Sequence, residues 1–162
     1  MSKANRLFGI IGFACIMLYS FFMALNISSF QDPSMVNELR ENLIQNVELQ
    51  LSNLPKNQKK ENDYVRDAFL QDLKENLVEP KYKLRSLYGI IGNIIILLGV
   101  VFIRRGSKLG LHFFISGTIF IVLTGFYALG AGITGWSFNL MYIILGIIFT
   151  PYFYYNLKKI GL

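Results

Sequence analysis

One cysteine (Cys15), one histidine (His112) and one tryptophan (Trp136) are all that this 162-residue chain holds of three residue types that often carry cross-links or chemistry. A lone cysteine excludes an intrachain disulfide, and the single histidine excludes any two-histidine metal motif. Acidic residues are absent from both ends of the chain, since all ten lie between Asp32 and Glu79. His112 therefore has no carboxylate in its own segment to orient it as a catalytic base. Neither enzyme activity nor a cofactor or metal site is expected.

Charge is also missing from four long apolar runs. They are Leu7–Leu25, Leu87–Ile103, Leu109 to about Gly130, and Leu140 to about Leu157. Each has roughly the 17 to 22 residues that cross about 30 Å of hydrocarbon as a helix. With 53% hydrophobic and 16% charged residues, the composition fits a membrane protein rather than a soluble domain. The first run follows Lys3 and Arg6 as a secretion signal would, but it is longer than such signals usually are and no small-x-small site follows it. It is read as an uncleaved anchor. The predicted fold is an all-α integral membrane protein with four transmembrane helices. Residues 1–25 form the amino-terminal segment and first span, 26–86 a large loop, and 87–162 the remaining three spans and a short tail.

The placement of basic residues orients this layout. Lys3 and Arg6 precede the first run, Arg104, Arg105 and Lys108 precede the third, and Lys158 and Lys159 follow the fourth, with none at the opposite ends of those runs. Basic residues near span ends stay cytoplasmic, so both termini are expected inside and the large loop outside. Arg104, Arg105, Lys108, Lys158 and Lys159 are the expected topology determinants and lipid-headgroup contacts. Lys81, Lys83 and Arg85 before the second run balance the three after it, so that run is neutral on the question. The formal charge of +6 thus reflects topology, and no basic domain is left for nucleic acid. Frequent Ile, Phe, Asn and Lys suit an AT-rich bacterial genome, which points to a bacterial inner membrane.

The loop from Asn26 to Ser86 carries two helical patterns. Asp32-Pro33 offers a cap, after which Val36, Leu39, Leu43, Val47 and Leu51 recur at steps of three or four up to a break at Pro55. A second pattern, from near Asn62 to before Pro80, places Val65, Phe69, Leu73 and Leu77 in one stripe. Together they predict an extracytoplasmic helical hairpin. Its polar faces are mostly acidic, which disfavours lying flat on anionic lipid. Val36, Leu39, Leu43, Val47, Val65, Phe69, Leu73 and Leu77 are the candidate contacts, with each other or with a partner.

Within the runs, small residues predict close helix packing: Gly9 and Gly12, Gly89 and Gly92 beside the amide of Asn93, and Gly117 and Gly125. Gly106 and Gly110 are read as the bend between the second and third spans. No Asp, Glu, Lys or Arg lies deep in any run, which disfavours a pump or ion-coupled transporter. Pro151 should kink the fourth span. Four spans with a larger first outer loop resemble claudins and tetraspanins in outline only, because the Trp and Cys motifs of their outer loops are absent, and no family is recognised. The leading expectation is a non-catalytic accessory subunit or assembly factor acting through contacts with a protein partner or another copy of itself. The alternative is a small oligomeric channel for a neutral solute, built around Asn93 and the threonines of the third span.

Overall fold

The computed structural model describes residues 3–52 and 56–159, and the side chains of 9–50 and 63–159. The break expected at Pro55 and the side chains of Lys3, Arg6 and Leu51 lie outside the described residues. Six α-helices and no strand occur among them: α1 (Lys3–Gln31), α2 (Met35–Ser52), α3 (Lys56–Asn76), α4 (Glu79–Arg104), α5 (Lys108–Leu129) and α6 (Ile133–Lys159). Four, namely α1 from Gly9 onward, α4, α5 and α6, are long and apolar enough to cross a membrane.

Three helices outrun their apolar runs. α1 continues past Leu25 to Gln31, because Asn26, Ser28 and Ser29 are polar without breaking a helix. Asp32 then ends it, and its carboxylate accepts from the Ser34 amide at 3.3 Å and from the Ser34 hydroxyl, so Pro33 sits in the turn and α2 starts only at Met35. α4 starts at Glu79, eight residues before Leu87, with Pro80 in its first turn, where the missing N–H has no helical partner to lose. Lys81, Lys83 and Arg85 are therefore part of the same rod as the second span. α6 starts at Ile133, seven residues before the apolar run at Leu140, so only residues 130–132 separate it from α5, and the helix runs on through Pro151 to Lys159.

The apolar helices pack in chain order, α1 on α4, α4 on α5 and α5 on α6. Between α4 and α5 the backbones touch. A Cβ on Gly99 would stand 2.6 Å from the Phe114 nitrogen and 2.8 Å from the Gly110 oxygen, and one on Gly110 would stand 2.6 Å from the Gly99 oxygen. Gly110 is thus a packing residue inside α5 rather than part of the bend. Gly106, at φ 77°, makes the bend, in a backbone region that favours glycine. Aromatic rings close the bundle between α1 and α6, with Phe22 and Tyr142 centroids 5.3 Å apart and Tyr19 and Tyr142 6.4 Å apart. A second, smaller cluster joins the polar helices to the bundle: Val36, Leu73 and Leu77 are buried together, with Leu43, Ile44, Phe69, Tyr82 and Phe138 against them.

Candidate functional site

The residues expected to make contacts divide along α2 and α3. Val36, Leu73 and Leu77 are buried, and Leu43 and Phe69 are partly covered in the same cluster. Val47 is half-buried, while Leu39 and Val65 are 37% and 60% exposed, and Tyr64 beside Val65 is 82% exposed. Along α3 coverage falls from Leu73 to Val65, whereas on α2 Leu39 is open although it lies between covered Val36 and Leu43.

Polar bonds fix the covered end. Asp72 on α3 reaches across to the start of α6, where its Oδ2 accepts from the Thr134 amide at 2.8 Å and the Thr134 hydroxyl at 2.7 Å. Its Oδ1 accepts from Asn76 Nδ2 at 2.8 Å. Asp72 therefore caps a helix on which it does not lie. Gly132 makes room for it, since any Cβ there would collide with the carboxylate. Burial alone would push the Asp72 carboxyl up, but the Thr134 and Asn76 hydrogen bonds, with Lys81 nearby, outweigh burial and hold it below its ordinary range. Arg40 Nη1 donates to the Leu77 carbonyl at 3.2 Å, Asn37 Nδ2 to Glu79, and Lys81 Nζ to Asn76 Oδ1 at 2.7 Å.

The glycines expected at helix interfaces meet neighbours within this one chain, with one exception. Gly12 faces the Arg104 side chain, Gly89 faces Asn26 and Arg85, Gly92 faces Ile121, Gly117 faces Ile96, and Gly125 faces Asn139. Gly9 does not take the packing role expected of it: among the described residues nothing lies within 4 Å of where its Cβ would be. Arg104, Arg105, Lys108, Lys158 and Lys159 are all exposed. Lys108 and Lys158 line one cavity of about 400 Å³ with His112 and Tyr154, which gathers the basic ends of α5 and α6 at one end of the bundle.

Asn93 is fully buried and donates to the Gly89 carbonyl at 2.8 Å and to the Tyr142 hydroxyl at 3.0 Å. It faces neighbouring helices of the same chain rather than a surface where copies would meet. Thr118 and Thr124 spend their hydroxyls on carbonyls of their own helix, at 2.9 and 2.6 Å. Removing the hydroxyl with Tyr142→Phe takes a partner from Asn93 in apolar surroundings. It is expected to cost about 1 kcal/mol, read as a lower unfolding midpoint in mixed micelles.

Two buried polar residues carry no signal in the hydropathy pattern. Asn139, just outside the fourth apolar run, is fully buried in α6 against Gly125, and neither of its amide atoms has a partner among the described residues. Arg85, read as a flank of the second span, is only 5% exposed. Its Nη1 donates to Asn26 Oδ1 at 2.9 Å, its Nη2 to the Phe138 carbonyl at 3.4 Å, and its guanidinium carbon lies 5.5 Å from the Tyr142 ring centroid. A cavity of about 200 Å³ opens beside it, between α1, α4 and α6. The unbroken helix through Glu79–Ser86 is what brings Arg85 inside, and the expected loop there hid it.

No group of three or more His, Cys, Asp or Glu side chains that could hold a metal ion occurs among the described residues. Comparison with protein-family models, curated proteins and solved structures finds no match.

Proposed function

We propose that the chain is a non-catalytic four-span membrane protein that acts through protein contacts, as an accessory subunit or assembly factor. In this reading α2 and α3 form an extracytoplasmic hairpin that is anchored to the bundle through some of its apolar side chains and presents the others as the contact surface. The observation that carries it is the division within the two apolar stripes: Val36, Leu73 and Leu77 are buried, whereas Leu39 and Val65 stay exposed. A hairpin serving only as a lid over the bundle has no use for apolar residues left open to solvent. The acidic side chains Glu38, Glu41 and Glu48, with Asp63 and Asp67 already paired to Arg66, suit a partner with a mixed basic and apolar face.

Cross-linking in intact membranes followed by mild detergent extraction tests this. The wild type is expected to carry a partner chain in fixed ratio. The double variant Leu39→Glu, Val65→Glu is expected to lose it while unfolding at the same denaturant concentration, because both positions are exposed. A wild type with no partner, or a double variant that keeps it, would sink the reading.

The orientation has its own check. Cys15 is buried, so single cysteines placed at Ser107→Cys and Tyr64→Cys can be labelled without background from it. A membrane-impermeant thiol reagent added outside intact cells or spheroplasts is expected to label position 64 and leave position 107 untouched until the membrane is opened. The reverse pattern would invert the topology that Arg104, Arg105, Lys108, Lys158 and Lys159 support.

A further inference from the structure

We propose that the cavity beside Arg85 binds the phosphate group of a phospholipid, in the leaflet next to α2 and α3. Three observations carry this. First, Arg85 is a buried cation without an opposite charge, since no carboxylate lies within 4 Å of its guanidinium among the described residues. Second, its hydrogen bonding is incomplete on one edge: Nη1 is engaged by Asn26, Nη2 makes only the long 3.4 Å bond to Phe138, and the buried Nε has no partner. The Nε and Nη2 edge of a guanidinium is the fork that takes two oxygens of a phosphate at once. Third, Arg85 lines a cavity of about 200 Å³.

Further donors are at hand. The Ser29 and Tyr82 hydroxyls also line the cavity and share one hydrogen bond of 3.1 Å, which leaves one of their two protons for a ligand. The Ser86 hydroxyl already donates to the Tyr82 carbonyl. The source of the phosphate follows from where the cavity opens. Leu25 of α1 and Met141 of α6 line it and are exposed, so its mouth is apolar and lies between two membrane-spanning helices. Along α4, Arg85 stands nineteen positions from Arg104, about 28 Å at 1.5 Å per residue, close to the thickness of a bilayer's hydrocarbon core. The guanidinium is therefore level with headgroup phosphates at the end of the bundle opposite the Arg104 cluster. The cavity has room for a phosphate and its ester oxygens, and the acyl chains would run outside along Leu25 and Met141.

The test uses the full chain purified in a non-ionic detergent and depleted of lipid. Its unfolding midpoint is followed on adding phosphatidylglycerol, diacylglycerol, which lacks the phosphate, or inorganic phosphate, and native mass spectrometry counts retained phospholipid. The wild type is expected to retain one phospholipid and to be stabilised by phosphatidylglycerol but not by diacylglycerol. Arg85→Gln should weaken that binding at least tenfold. Met141→Trp, which narrows the mouth at an exposed position and leaves Arg85 in place, should do the same and covers the case in which Arg85→Gln does not fold. Stabilisation by inorganic phosphate alone, lost in Arg85→Gln, would overturn the lipid as the source and assign the site to a soluble anion. Equal stabilisation by diacylglycerol, no response to either phosphate compound, or an undiminished response in both variants would overturn the site itself.

Discussion

Gly99→Val is expected to unfold the membrane bundle, and Gly110→Val to do so nearly as completely. At both positions the first added carbon meets backbone, at the Phe114 nitrogen and Gly110 oxygen in one case and the Ile103 nitrogen and Gly99 oxygen in the other. Backbone cannot rotate away as a side chain can, so α4 and α5 must separate. Overpacking of this kind costs roughly 3 kcal/mol or more, a large part of the stability of a domain this size. The separation also strips contacts from Ile96, Val100, Ile103 and Phe114, which share the core with Tyr19 and Phe153. Unfolding midpoints in mixed detergent micelles provide the measurement, and Gly9→Ala is the control, expected to leave the midpoint unchanged. A Gly99→Val protein as stable as wild type would mean that the two helices do not cross at these glycines.

The second large effect is expected at Asp72. Asp72→Ala removes the cap of the first turn of α6, together with the two bonds by which the α3 carboxylate holds Thr134 in that turn. Loss of a helix cap costs about 1 to 2 kcal/mol. The greater change is local, because α3 is otherwise held to the bundle by Phe69 and Leu73, by Leu77 just beyond its end and by the Asn76–Lys81 bond. Protease cleavage within α2 and α3 is expected to accelerate at least tenfold while α4, α5 and α6 remain protected. The same tie responds to pH. The folded carboxyl titrates below its ordinary range, so its stabilising contribution is complete above about pH 4, the unfolded value. It is lost as pH falls through the lower, folded value. Asp72→Asn is expected to abolish that acid-dependent rise in cleavage. An unchanged acid response in Asp72→Asn would show that another carboxylate governs it.

The runs Leu87–Ile103 and Leu109–Gly130 could be read as spans because a membrane helix must be apolar around its whole circumference, and composition alone carries that requirement. The stripes that bury Val36 in one helix and Leu73 and Leu77 in the next could be read for a similar reason, since period and burial go together in an amphipathic helix. Helix ends were less accessible. A backbone stays helical through Asn26, through Pro80 and through Thr134 as long as its hydrogen bonds are met, whether or not the side chains are apolar. The misplaced starts of α4 and α6 had a direct consequence: Arg85 and Asn139 looked like loop residues and are buried ones. Nothing in the sequence singles out Gly99 among the glycines, because closeness of approach depends on which face meets α5. That is a property of three dimensions, and no count along the chain contains it.

The bend at Gly106 bears on the order in which the bundle assembles. Only Arg105, Gly106 and Ser107 separate α4 from α5, so closing that pair sacrifices almost no chain entropy, and its contacts are short in sequence. α1 is in the opposite position, because the whole of α2 and α3 lies between it and α4, the helix it packs on. The pair α4 and α5 is therefore expected to form first, as a two-helix unit inserted together. α1, which leaves the ribosome before α4, must wait until its groove on α4 exists. Synthesis and assembly then run in opposite directions along this chain.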